Sequence, residues 1–222
     1  MALDAIEIET GNDPTAAVIW LHGLGADGHD FEPIVPELRL PRSLSLRFVF
    51  PHAPVRPVTL NNGMPMRAWY DILQLGGGPE DEAGVRASQT LVEGMIAEEA
   101  KRGIEPRRIV LAGFSQGGAI ALQTALRSRE RLAGVLALST YLPIASKLEA
   151  ERSKANQDVP IFMAHGLHDD IIPLRKAELS RDVLAKNGYA VEWKTYPMPH
   201  SVCAEEVADI ARFLARLLAP SP

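Results

Sequence analysis

Apolar and polar positions fall into two kinds of block along this chain. Short continuous apolar runs alternate with longer segments whose apolar residues recur every three or four positions. Ala16–Leu21 (Ala-Ala-Val-Ile-Trp-Leu), residues 109–112, 134–139 and 159–165 are runs of the first kind. Runs of this length with no polar alternate predict strands buried on both faces. Residues 47–50 and Val191–Tyr196 predict further strands, and residues 6–9 alternate weakly, as an edge strand does. The second kind predicts helices. Residues 81–102 place Val85, Ser88, Leu91, Val92, Met95 and Ile96 on one face and end on Lys101, Arg102 and Gly103, a C-terminal signal. Residues 202–218 carry a stripe of Val207, Ile210, Ala211, Leu214, Leu217 and Leu218 at i, i+3, i+4, i+7 spacing. Residues 173–187, closed by Gly188, form another helix, with shorter ones near 30–38 and 119–127. The polar connection 143–157 has room for one or two helical turns.

Strands alternating with helices, the strands being uniformly apolar, predict a three-layer α/β domain: a mainly parallel central sheet flanked by helices on both faces. The chain shows no repeat, low-complexity tract or linker, so one domain over residues 1–222 is expected. Residues 51–79 stand apart. They are rich in Pro and Gly, no regular element fits them well, and loops this long in a small domain are often functional.

Composition narrows the partners. A net charge of −5 with no recurring basic patch argues against nucleic acid. The single cysteine excludes an internal disulfide and fits a reducing compartment. The first residues lack the basic and apolar regions of a signal peptide, and no apolar run approaches the ~18 residues of a membrane span. A cytoplasmic protein without an integral membrane span is expected.

The chemistry centres on Gly113-Phe114-Ser115-Gln116-Gly117. G-x-S-x-G is meaningful between a buried strand and a helix, where an abrupt turn exposes the serine and the helix points its positive end at the same spot. A serine hydroxyl is a poor nucleophile and needs a base, which needs an orienting acid. In α/β hydrolases these follow in the order Ser, Asp or Glu, His, each after a strand. Asp169 and Asp170 follow one predicted strand and His200 follows the next; His200 is the only histidine downstream of the acids. The order thus selects Ser115 and His200 but leaves Asp169 and Asp170 open as the acid. The oxyanion requires two backbone N–H groups. Gln116 supplies one and the glycine loop His22-Gly23-Leu24-Gly25 the other, through Leu24. His22 precedes the acid, the wrong order for the base, and reads as a structural histidine. His165 and His168 beside the aspartates suggest a metal, but the further ligands such a site requires are not evident. No metal and no cofactor are expected.

Five blocks together resemble a known family. They are Leu21-His22-Gly23-Leu24-Gly25; Pro51-His52-Ala53-Pro54 with Pro57-Val58-Thr59-Leu60-Asn61; Trp69-Tyr70-Asp71-Ile72; Gly113-Phe114-Ser115-Gln116-Gly117-Gly118; and His165-Gly166 to Pro173 with Tyr196-Pro197-Met198 and His200. Across residues 17–217 the chain is similar to the carboxylesterase and acyl-protein thioesterase family of small α/β hydrolases, most of all its bacterial carboxylesterases. The resemblance implies the α/β-hydrolase fold without a large cap domain. It implies a catalytic acid four residues before the block's proline, which is Asp169, and agrees with Ser115, His200, Leu24 and Gln116 in the roles above. It implies that the 51–79 region, with Trp69 and Asp71, supports and borders the site, and that residues 73–75 form a flap over the acyl chain. Trp69, Leu73 and Leu75 are thus expected at the substrate. Departures are His168 and Asp170 around the acid, Pro199 before the base where a small residue is common, and Cys203 where a serine helix cap is often found.

The function expected is a serine hydrolase of short- to medium-chain carboxylic esters, with acyl thioesters and lysophospholipids as further candidates. An acyltransferase using the same triad and a non-catalytic binding protein on the same scaffold are the alternatives. The partner expected is a small ester or acyl substrate, and the resemblance is compatible with a homodimer.

Overall fold

The computed structural model describes residues 3–74 and 79–219, which form nine strands and six α-helices. The chain begins β1 (Ala5–Glu9), β2 (Ala16–Leu21), α1 (Ile34–Glu37) and β3 (Leu46–Pro51). A hairpin of β4 (Val55–Val58) and β5 (Met64–Arg67) precedes α2 (Glu82–Lys101). Then follow β6 (Ile109–Phe114), α3 (Gln116–Arg127), β7 (Gly134–Leu138), α4 (Leu148–Glu151), β8 (Ile161–Gly166), α5 (Leu174–Lys186), β9 (Val191–Tyr196) and α6 (Ala204–Leu218).

Seven strands make one sheet in the order β1-β3-β2-β6-β7-β8-β9. β1 runs antiparallel to β3 at one edge, and the other pairings are parallel. β2 shows why the central strands carry no polar alternate. Its Ala17, Ile19 and Leu21 pack into one apolar layer with α2, α3 and Leu184 of α5. Its Ala16, Val18 and Trp20 pack into the opposite layer with α1 and α6. Helices therefore cover both faces, and among the described residues no large cap lies over the sheet. The buried Arg47 of β3 is tolerated because Glu9 (2.9 Å) and Glu99 of α2 (2.8 Å) pair with it.

The strand order also places the site. From β2 the chain steps to β3 on one side, then crosses to β6 on the other. The loops after β2 and β6 thus diverge at the carboxyl edge of the sheet. In open α/β sheets the crevice at such a switch point is where ligands bind.

The 51–79 region departs from the irregular loop expected. Val55–Val58 and Met64–Arg67 pair antiparallel, with Pro57 opposite Pro65, and a short 3₁₀ turn (Thr59–Asn61) joins them. Proline in both strands removes two ladder donors and confines the pair to a small sheet of its own. The same prolines hid the strands in the sequence.

Candidate active site

At the carboxyl end of β6 the backbone turns through Ser115, a non-glycine residue at φ 54°, ψ −121°. Such a conformation costs on the order of 1–3 kcal/mol and persists only where the surroundings hold it. Here Ser115 N–H donates to Leu138 O (2.9 Å), while Ser115 O accepts from Thr140 Oγ1 (2.6 Å) and Ala119 N–H (3.1 Å). The flanking glycines have a steric reason. A β-carbon on Gly113 would strike the backbone of Gly117, and one on Gly117 would strike the Leu21 carbonyl at the end of β2. The elbow is therefore pressed against the β2 loop as well as against β7.

That β2 loop is braced by His22. Its Nε2 accepts from Ala53 N–H (3.0 Å), so the proton sits on Nδ1, which donates to Gly23 O (2.7 Å). Burial lowers its pKa and keeps the ring neutral, which makes His22 a structural residue. Gly25 N–H donates to Arg67 O and Ala26 N–H to Gly23 O, whereas Leu24 N–H meets no acceptor among the described residues. Gln116 is the first residue of α3, and its N–H is one of the orphan donors of a helix N-terminus. Leu24, Gln116 and Ser115 line the same cleft.

The acid and base loops are stitched together. Leu167 N–H donates to Tyr196 O (2.8 Å) and His168 N–H to Met198 O (3.1 Å). Asp169 is 7% exposed, whereas Asp170 and His168 are exposed to solvent. Asp169 Oδ1 accepts from the N–H groups of Ile171 (3.0 Å) and Ile172 (2.8 Å). Asp169 Oδ2 accepts from His200 Nδ1 at 2.7 Å. The carboxylate can only accept, so the His200 proton sits on Nδ1 and Nε2 is left as the basic nitrogen. The His200 ring packs 4.6 Å from that of Phe114, the residue before Ser115. Buried His165 stands on the other side of the acid. Its Nε2 donates to Ile172 O (2.8 Å) and lies 3.3 Å from Asp169 Oδ2, and burial lowers its pKa. Among the described residues no three His, Cys, Asp or Glu side chains are grouped as a metal ion requires.

The structure places Trp69 behind the cleft wall rather than in it. It is 0% exposed; its indole N–H donates to His22 O (2.9 Å) and its backbone N–H to Gln116 Oε1 (2.7 Å). Gln116 Nε2 donates in turn to Tyr70 O (2.7 Å), and Ser88 Oγ bonds Trp69 O. Trp69 is thus a strut between the elbow and the β2 loop, too enclosed to touch a substrate. Asp71 ties the hairpin down by accepting from Thr59 N–H (2.7 Å) and Thr59 Oγ1 (2.6 Å). Leu73 is exposed beside the cleft but not part of its wall, and Leu75 lies outside the described residues. Beside Leu24, Ser115 and Gln116 the wall is built by residues that the sequence did not assign to the substrate, among them Leu60, Tyr70, Ile72, Tyr141, Ile172 and Lys176.

Comparison with known proteins places the chain in one family. The family described as Phospholipase/Carboxylesterase (Abhydrolase_2) matches residues 3–218. Acyl-protein thioesterase 1 of Gibberella zeae is 42% identical over 93% of this chain and 92% of its own. The protein of the same name from Neurospora crassa is 42% identical over 92% of this chain and 87% of its own. Among solved structures, Arabidopsis thaliana SOBER1 superimposes with a TM-score of 0.87 at 32% identity, covering 91% of this chain and 99% of that one. Zea mays acyl-protein thioesterase 2 does so with a TM-score of 0.86 at 28% identity, covering 97% and 99%.

Proposed function

Because the chain belongs to the phospholipase/carboxylesterase family, and is by that membership a serine hydrolase, we propose that it cleaves short- to medium-chain carboxylic esters and acyl thioesters through Ser115, His200 and Asp169. The observation that carries this reading is the 2.7 Å bond from His200 Nδ1 to the buried Asp169, made beside the strained Ser115 elbow. Ser115 Oγ attacks the acyl carbonyl while His200 Nε2 takes its proton. The tetrahedral oxyanion is held by the N–H groups of Leu24 and Gln116, donors fixed in place before reaction. His200 then protonates the departing alcohol or thiol. It next draws a proton from water, which attacks the acyl-enzyme, and passes that proton to Ser115 Oγ as the acyl–Oγ bond breaks and the carboxylic acid leaves. Asp169 fixes the tautomer and stabilises the imidazolium formed in both steps.

The names of the relatives support the thioester substrates, and the open cleft without a large cap supports short and medium chains. The test is a p-nitrophenyl ester series from acetate to palmitate, with a thioester of each length and Ser115→Ala alongside. A rate that peaks at short or medium chains and vanishes in Ser115→Ala is expected. A rate rising steadily to palmitate contradicts the chain-length reading.

A further inference from the structure

The cleft wall contains one charge that ester hydrolysis does not need. Lys176, in the first turn of α5, is part of the cleft wall, and its Nζ lies 3.4 Å from the centroid of the ring of Tyr141, another wall residue. Around it the wall is mostly carbon, from Leu60, Ile72 and Ile172, and no carboxylate among the described residues lines the cleft.

A lysine that only packs its stem on apolar surface sends its ammonium out to water. Lys176 holds the ammonium over an aromatic face instead, and no carboxylate among the described residues lies within ion-pair distance of it. Lys147 on the surface shows the usual alternative, a 2.7 Å pair with Glu82. Burial disfavours the charged form of Lys176, and the negative charge of Glu80 opposes that only through space. Glu80 Oε2 itself accepts from Ile144 N–H (2.9 Å). The ammonium is therefore partly desolvated without a carboxylate to bond.

Beside it, Tyr141 and Tyr70 share a hydrogen bond of 2.9 Å between their hydroxyls. Burial pushes Tyr141 up to about 12 and Tyr70 well above its ordinary value, so both remain neutral phenols. Two phenols sharing one bond leave one O–H proton to donate. An ammonium and a phenol donor in the wall of an apolar cleft match a carboxylate by charge and by hydrogen bonding.

We propose that Lys176 is a specificity-determining residue and that the cleft selects acyl groups carrying a carboxylate at the end remote from the scissile carbonyl. The proposal rests on the reading of Ser115 as the nucleophile of this cleft. The substrate class is then the monoesters and monothioesters of dicarboxylic acids.

The test compares p-nitrophenyl monoesters of adipic and suberic acids with p-nitrophenyl hexanoate and octanoate, in wild type, Lys176→Met and Lys176→Arg. Wild type is expected to favour the charged ester of at least one length by about tenfold or more in kcat/KM. That ratio should fall by about tenfold in Lys176→Met and persist in Lys176→Arg. A wild-type preference for the neutral ester at both lengths, or an unchanged ratio in Lys176→Met, overturns the proposal while leaving the esterase reading intact. If wild type hydrolyses neither series, or Ser115→Ala hydrolyses both as well as wild type does, the esterase reading fails and this proposal falls with it.

Discussion

Gly166, at the end of β8, lies so close to Met198 that a β-carbon on Gly166 would strike the Met198 carbonyl oxygen. The acid loop leaves from Gly166 and the base loop from Met198, so this contact sets the distance between Asp169 and His200. Gly166→Ala should force the two loops apart and lower kcat by about a hundredfold, the cost of roughly 1 Å of misplacement in a catalytic constellation. Steady-state kinetics on the folded variant checks this, and a wild-type kcat contradicts it.

Asp169 and Asp170 are adjacent in the chain but face different surroundings. Asp169→Asn keeps an acceptor for the Ile171 and Ile172 N–H groups yet no longer fixes the His200 tautomer. It should reduce kcat by roughly 10⁴-fold with the fold retained. Asp170 is exposed, and Asp170→Asn should stay close to wild type. Kinetics of the two variants side by side decides the matter; the larger loss in Asp170→Asn would be the wrong result.

The sequence carried the fold and part of the candidate site for a physical reason. Strands buried on both faces must be apolar throughout, so β2, β6, β7 and β8 were legible as unbroken apolar runs. Ser115 was legible because a strand-to-helix elbow demands glycines at fixed offsets, and His200 because only one histidine follows the acids. The choice between Asp169 and Asp170 depends on burial, which local spacing does not encode. The hairpin of β4 and β5 was missed because its prolines read as breakers. The cleft wall was missed because Leu60, Tyr141 and Lys176 come from separate segments and meet only after folding. Trp69 marked the right region, but its neighbours Tyr70 and Ile72 face the cleft while Trp69 supports them.

Glu206 of α6 makes stability depend on pH. Its side chain is fully buried, and neither carboxyl oxygen has a hydrogen-bond partner among the described residues. Burial, opposed by the nearby Cys203 backbone N–H and reinforced by the negative charge of Asp209, pushes its pKa from 4.5 up to about 8. Between these values the unfolded chain has released the proton that the folded chain retains, so this group lowers stability as pH rises from about 4.5 to about 8. Glu206→Gln removes the ionisation at constant shape. Chemical denaturation should find the variant more stable than wild type at pH 8 and nearly equal at pH 4.5. An equal difference at both pH values contradicts this.

Gly94 sits on the exposed face of α2, and nothing lies within 4 Å of a β-carbon placed there. Gly94→Ala restricts the unfolded chain without crowding the folded one. It should stabilise by about 0.5–1 kcal/mol and raise Tm by roughly 1–4 °C, with kinetics unchanged. Thermal denaturation is the check, and a lowered Tm is the contrary result.

The proposed mechanism stands on Ser115 as the activated nucleophile. Its most direct test is covalent labelling by a fluorophosphonate, in which Ser115 Oγ displaces fluoride from phosphorus, read by intact mass and peptide mapping. Wild type should take up one label per chain on Ser115, Ser115→Ala none, and His200→Ala should react far more slowly. A label that persists in Ser115→Ala, or a folded wild type that takes up none, would contradict the account.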